Sequence, residues 1–192
     1  GVLQIFLHAL PPGFSVPIVL VQHRTAHAET LLLELLQGWS TLQVIEPEDK
    51  DPILPGRLYI APPDYHLLVE PGFFSLSIDP PVSFARPSID VLFESMSQAY
   101  GSRALVAVLT GSNRDGAVGA AAVKRAGGRV LVQDPKSAQS PVAPRAVLQA
   151  IAVDEICGMH ELAAGVVRWC REASVGAPCE GHRADPIDDA EK

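Results

Sequence analysis

Short runs of Val, Ile and Leu recur along this chain, each closed by turn residues and alternating with stretches of helical periodicity. No other feature limits the fold as much. Residues 17–21, 42–45, 104–110 and 129–133 are too short for helices and rich in Val, Ile and Leu, as strands are, and 17–21 and 104–110 suit strands buried in the core. Helical patterns lie between them. Residues 2–10 stop at Pro11-Pro12-Gly13, and residues 28–37 are followed by Gly38. Ser88 is a natural cap for a helix reaching about residue 99, with Asp90 in its first turn near the positive end of the dipole. Residues 117–126 close on Gly127-Gly128, and residues 144–150 and 161–171 complete the series. Strands and helices in this order predict an α/β domain built on a doubly wound, mainly parallel sheet.

The middle of the chain breaks the rhythm. Residues 57–61, 66–69 and 73–78 are three strand candidates separated only by Pro62-Pro63-Asp64 and Glu70-Pro71-Gly72. Connections this short cannot hold a crossover helix, so an inserted antiparallel region is expected there. Residues 1–173 are expected to form one domain. From Ser174 onward large apolar residues almost vanish, and residues 174–192 read as a disordered tail.

Composition removes several classes of function. No apolar run approaches the roughly 18 residues of a membrane span, so no membrane insertion is expected. The net charge is −7 and no Lys/Arg cluster stands out, so nucleic acid is not an expected partner. Cys157, Cys170 and Cys179 are odd in number and widely spaced, which suits reduced thiols in a cytoplasmic protein better than disulfides or zinc. The chain opens on Gly1 with no basic region before its apolar stretch, unlike a signal peptide, and reads as starting inside a larger protein.

In doubly wound sheets chemistry collects beyond the carboxyl ends of strands. Two such ends carry reactive side chains. His23 directly follows the run Val19-Leu20-Val21-Gln22. The run Val108-Leu109-Thr110-Gly111-Ser112-Asn113-Arg114-Asp115-Gly116 passes from strand through a polar turn into a helix, with Asp115 near the helix start, where an ionised carboxylate is favoured. An imidazole beside a fixed carboxylate is the base half of a Ser-His-Asp arrangement. The plainer readings are a loop histidine and a capping aspartate. His23 and His27 are four apart, like a metal pair, but no third ligand is evident. The Gly111–Gly116 turn has neither a Gly-Lys-Ser/Thr ending nor a G-x-G-x-x-G, so a phosphate cradle has little support. An anion- or nucleotide-binding domain is therefore the remotest of the readings. No metal or cofactor is called for. His66 reads as structural or as a pocket wall, Arg86 as a surface cation, and Trp39 and Trp169 as packing residues.

Taken in order, the local patterns resemble the catalytic domain of the protein-glutamate methylesterases of bacterial chemotaxis. Leu10-Pro11 with Val19 to His23 is similar to the family's stretch ending in Val-Gln-His. Gly56-Arg57-Leu58-Tyr59-Ile60-Ala61-Pro62 with His66 is similar to its Gly-x-x-Tyr-Ile-Ala-Pro…His hairpin. Pro87-Ser88-Ile89-Asp90-Val91-Leu92-Phe93 with Ser95 resembles its Pro-Ser-x-Asp-x-Leu-Phe-x-Ser motif. Leu109-Thr110-Gly111 through Asp115-Gly116-Ala117 and Gly119 resembles its Leu-Thr-Gly…Asp-Gly-Ala motif, and Gln133-Asp134 and Pro144-Arg145-Ala146 complete the set. The resemblance covers about residues 1–165. It implies a parallel sheet with an antiparallel hairpin, hydrolysis of γ-glutamyl methyl esters on the cytoplasmic helices of chemoreceptors, and glutamine deamidation as a second activity.

The resemblance makes His23 the general base and Asp115 its orienting carboxylate. The Ser112 amide would help hold the oxyanion, with Gly111 and Asn113 beside it at the pocket. The family's nucleophile is a serine in a Gly-x-Ser-x-Gly-Gly turn after the first strand. Gly1 matches the last glycine of that turn, so serine and strand are expected just upstream of residue 1. The alternative is a catalytically inactive module that docks on a receptor helix or signalling partner. Ser112 and Asn113 stand where the family has Met-Gly, and Val142-Ala143-Pro144 where it has Gly-Met-Pro. Ser112 is a poor substitute nucleophile, because it sits on the element that supplies Asp115. A receiver domain, upstream or in trans, is an open expectation.

Overall fold

In the computed structural model, residues 1–23 and 29–175 are described. His27 and residues 176–192 of the expected tail lie outside them. The elements follow the α/β order: α1 (Val2–His8), β1 (Ile18–Leu20), α2 (Glu29–Trp39), β2 (Gln43–Ile45), β3 (Arg57–Ile60), β4 (His66–Glu70), β5 (Phe73–Ser77), α3 (Ile89–Tyr100), β6 (Leu105–Val108), α4 (Ala117–Arg125), β7 (Arg129–Gln133), α5 (Val142–Ala150), β8 (Glu155–Cys157) and α6 (Leu162–Val175). Helix α6 runs two residues past the expected domain boundary at residue 173.

The parallel strands lie in two groups, ordered β1-β3-β2 and β6-β7-β8. Side chains on β3 and β7 alternate between two apolar layers. Tyr59, Val130 and Val132 pack with Leu92 and Phe93 of α3, Ala120 and Val123 of α4 and Val147 of α5. Leu58, Ile60 and Leu131 pack on the opposite side with Phe6 and Leu7 of α1, Leu36 of α2 and Leu162 and Val166 of α6. This period of two, with helices covering both faces, makes the fold doubly wound. Each layer spans both strand groups, so the two groups share one core.

Residues 57–61 correct the sequence reading. They were expected in the antiparallel region, yet β3 is the middle strand of a parallel group, with Leu58 opposite Ile18 of β1 and also opposite Val44 of β2. Leu58, Tyr59 and Ile60 are all buried, the mark of a strand covered on both faces. The antiparallel insertion is the β4–β5 hairpin, with Leu67 opposite Leu76 and an isolated antiparallel bridge from Phe73 to Pro52. Strand β8 was not anticipated, because its three residues begin on Glu155 and carry no long apolar run.

The free edges of β1 and β6 border one apolar cavity of about 460 Å³, lined by Ile18 and Leu20 on one side, Leu105 and Ala107 on the other, and Phe6 and Val166 across it. No helix among the described residues is long and apolar enough to cross a membrane.

Candidate active site

The carboxyl ends of β1 and β6 face a second cavity of about 350 Å³, whose lining includes Val21 to His23 from one strand end and Thr110 to Asn113 with Asp115 from the other. His23 and Asp115 meet there across 92 residues of sequence, with Nε2 of the imidazole 2.8 Å from Oδ2 of the carboxylate. An ionised carboxylate can only accept, so Nε2 carries the hydrogen, and in the neutral ring the lone pair is on Nδ1. The His23 side chain stays 33% exposed while that of Asp115 is 0% exposed. The ring therefore reaches solvent from an anchor that does not.

The anchor is built by two helices that cap each other. The plainer reading of Asp115 was a cap for the helix it precedes. Its carboxylate instead serves α3: Oδ2 accepts from the Ile89 amide at 2.7 Å, and Oδ1 accepts from the Asp90 amide at 3.0 Å and the Ser88 hydroxyl at 2.8 Å. Asp90 was placed near its own helix dipole. Its Oδ1 instead accepts from the Gly116 and Gly119 amides of α4, at 2.9 and 2.8 Å. Each helix start leaves orphan N–H groups, and here each borrows its acceptor from the other helix. Gly116 makes the exchange possible, because its φ of 101° turns the chain sharply between Asp115 and α4.

Burial opposes ionisation of Asp115, but the hydrogen bonds from His23, Asp90, Ile89 and Ser88 outweigh it and hold its pKa below the usual carboxylate range. Asp90 behaves oppositely. Burial pushes its pKa up, the Gly119 amide counters this, and the adjacent Asp115 charge adds to the rise. Asp115 is thus the member of the pair suited to carry the negative charge beside an imidazolium.

The turn residues divide their work. Gly111 is committed to structure: its amide donates to the Ser140 carbonyl and its carbonyl accepts from the Ala143 amide, both at 3.0 Å. A Cβ there would stand 3.1 Å from that of Ala143. The Asn113 side chain is committed as well, donating to the Ser83 carbonyl at 2.8 Å and accepting from the Arg114 amide at 2.6 Å. The Ser112 amide finds no acceptor among the described residues. The Asn113 amide likewise finds no acceptor among the described residues, so Ser112 and Asn113, both lining the cavity, are the two of these three residues whose backbone donors are uncommitted.

His66 is buried as a link, not a base. The Ser88 amide donates to its Nδ1 at 3.3 Å, so its Nε2 carries the hydrogen donated to the Pro80 carbonyl at 3.2 Å. Arg86 reaches backbone carbonyls and, among the described residues, no carboxylate, with Nη1 donating to Ile78 and Asp79 at 2.9 and 3.2 Å. Trp169 lies under the Arg129 guanidinium at 4.5 Å, and Trp39 packs against the α1–α6 layer. The Cys157 thiol is pushed up to about 12, first by burial and then by Glu155, and is unsuited to nucleophilic work. No cluster of His, Cys, Asp and Glu able to hold a metal occurs among the described residues. Sequence reading missed the part that Ser88 and Asp90 play in fixing Asp115. The signal available was the Pro-Ser-x-Asp spacing, which reads as an ordinary cap.

Comparison with known proteins gives this geometry a context. A family described as CheB methylesterase matches residues 1–166. A Leptospira interrogans relative is 40% identical over 167 residues, 86% of either chain. The Rhodospirillum rubrum protein-glutamate methylesterase/protein-glutamine glutaminase 1 is 39% identical over 158 residues, 80% of this chain but only 41% of that protein. The crystal structure of the Thermotoga maritima CheB methylesterase catalytic domain superposes with a TM-score of 0.83 at 30% identity, covering 87% of this chain and 90% of that one. On these matches and the shared fold, the chain belongs to the CheB methylesterase family.

Proposed function

We propose that residues 1–173 form the body of a hydrolase for glutamate γ-methyl esters on proteins, with glutamine deamidation as its second reaction. The carrying observation is the 2.8 Å hydrogen bond that fixes the half-exposed His23 ring to the buried Asp115 carboxylate. The names of the relatives support protein glutamate as the substrate. Methylated cytoplasmic helices of chemoreceptors are the proposed partner, in the cytoplasm, with a receiver domain, upstream or in trans, as regulator.

The nucleophile in this proposal is a serine at the carboxyl end of a further parallel strand, seated between β1 and β6 and supplied by polypeptide outside residues 1–192. Both free edges border the same apolar cavity, and unpaired strand edges in a core leave amides and carbonyls without partners. A parallel strand there would end between His23 and Ser112. His23 Nδ1 takes the serine proton as the oxygen attacks the ester carbon. The resulting oxyanion is held by the Ser112 amide, and the imidazolium by Asp115. The same proton then goes to the departing methoxide, methanol leaves, and water repeats the sequence on the acyl-enzyme. Deamidation differs only in releasing ammonia.

The test is to incubate the intact protein, as its gene encodes it, with a chemoreceptor fragment carrying tritiated methyl esters. Volatile tritiated methanol is expected, and phenylmethylsulfonyl fluoride should stop its release by labelling one serine other than Ser112. An intact protein that releases no methanol would overturn the proposal.

A further inference from the structure

Beside the cavity stands a surface the proposed chemistry does not use. Residues 78–84 are exposed without interruption, and the segment is apolar at Ile78, Pro80, Pro81, Val82 and Phe84. Phe84 is wholly exposed, and Ile78 is 73% exposed. Segments this open are ordinarily held loosely. This one is bolted down. Arg86 donates to the carbonyls of Ile78 and Asp79, His66 to that of Pro80, and Asn113 to that of Ser83. Val82 and Ala85 exchange two backbone hydrogen bonds, at 3.1 and 2.9 Å, around a two-residue turn.

The turn is costly for its sequence. Ser83 and Phe84 have φ of 52° and 62°, the left-handed region that such turns usually fill with Asn-Gly. A bulky side chain there is strained, and the ring gains no cover from the rest of the molecule. The fold would be served better by a smaller residue. The strain and exposure make sense if the ring is used by something that arrives from outside.

The occupant follows from the proposed reaction, on which this inference rests. A glutamate side chain places its ester carbon only about 4 Å from its own Cα. The polypeptide that bears it must therefore lie along the cavity mouth. Asn113 lines that cavity and also holds the carbonyl next to Phe84, so the tip stands at the same mouth. We infer that the Ile78–Phe84 tip is a docking site for the protein substrate, with the Phe84 ring taking an apolar side chain beside the esterified glutamate. On a helical substrate, positions three and four residues away share the face of that glutamate. The site would thus favour a protein-bound ester over a small one, through contacts remote from the reacting carbon.

The test compares the intact protein with Phe84→Ser, Phe84→Trp and the double variant Ser83→Asn/Phe84→Gly. Two substrates are used: a methylated chemoreceptor fragment and p-nitrophenyl acetate. For Phe84→Ser and the double variant, kcat/KM on the receptor fragment should fall about tenfold, mostly through KM, relative to that on the small ester. Phe84→Trp should retain most of the preference. The double variant, with its turn relieved, should also melt about 2–4 °C higher while losing that preference, which a merely structural phenylalanine would not do. Unchanged kinetics on the receptor fragment would overturn the inference, as would equal losses on both substrates. So would a dimer that dissociates in Phe84→Ser with substrate handling intact, since the tip would then join copies of the chain. If the unaltered protein turned over neither substrate, the hydrolase reading would fall by itself. Docking would then be judged by fluorescence anisotropy with the labelled fragment, where tenfold weaker binding by Phe84→Ser sustains it and equal binding overturns it.

Discussion

At the scale of single residues, the proposed reaction gives each polar group of the candidate site one task. Asp115 has four donors and 0% side-chain exposure, so it cannot swing to follow a moving proton, and it accepts from Nε2 of His23 so that Nδ1 is the basic atom. In the proposed reaction Ser112 contributes through its backbone. Ser112→Ala keeps the amide and should leave kcat within about fivefold of the unaltered protein, whereas losing an oxyanion donor costs about 10²–10³. Steady-state kinetics on a methylated receptor fragment checks this, and a collapse of activity would make the Ser112 hydroxyl the nucleophile. Much of this scale was legible in the sequence. A histidine closely following a short apolar run and an aspartate in a strand-turn-helix segment were both visible. Their partners were not. Which amides a carboxylate caps depends on how two helices pack, and residues 90 and 115 are not neighbours in the chain. Phe84 was invisible for a different reason: an isolated phenylalanine reads as core, and only coordinates reveal it at the tip of a turn.

At the scale of elements, helices α3 and α4 form the unit that carries Asp115. They approach so closely at Gly119 that a Cβ there would lie 2.6 Å from Cβ of Phe93 and 2.8 Å from the Asp90 carbonyl. Gly119→Ala must push the helices apart. A loss of about 1–3 kcal/mol in urea denaturation is expected, with slower hydrolysis because the same shift pulls Asp90 off the α4 amides. The capping exchange makes a sharper prediction. Asp90→Asn keeps an acceptor for the Gly116 and Gly119 amides and removes the charge facing Asp115, so stability at pH 7 should be equal or higher. Asp90→Ala strips both caps and should lose about 1–3 kcal/mol by the same measurement. Equal losses from Asn and Ala would contradict the capping account. The glycines of this unit were readable as turn and stop signals, and α3 and its Ser88 cap fell where expected. The role of residues 57–61 was misread because short connections suggested a meander. The tightly buried Leu58-Tyr59-Ile60 run, apolar on both faces, was the better guide.

At the scale of the whole molecule, two parallel strand groups share both apolar layers and meet at their carboxyl ends. His23 comes from one group and Asp115 from the other, so the candidate site is also a joint. The stability of the whole molecule depends on pH through its hydrogen-bonded carboxylates. Asp115 and Asp154 both have lowered pKa values. At Asp154 burial is the leading influence and opposes ionisation, and hydrogen bonds from Lys124, Val130 and Arg129 overcome it. Carboxylates depressed in the folded state stabilise it above their unfolded pKa of about 3.9, and that contribution is lost as pH falls through the lower folded values. Asp90, shifted upward, acts in the reverse sense and favours the folded state on the acid side. Glu155 is lowered too, first by its hydrogen bond from Arg168, so with three carboxylates against one, urea midpoints should fall as pH drops below about 4, and Asp154→Asn should blunt the fall. A midpoint rising toward pH 3 would contradict this balance. The α/β class was plain from the alternation of elements. The division of the sheet was not, because pairing partners cannot be read from the composition of a strand. The joint itself is tested most directly by a double-mutant cycle on methyl-ester hydrolysis by the intact protein, using His23→Ala, Asp115→Ala and the two together. Each single change should lower kcat/KM by roughly 10³- to 10⁴-fold, with the double variant no worse than the poorer single. Losses that multiply, or a His23→Ala protein with full activity, would show that residues 23 and 115 do not act as one base.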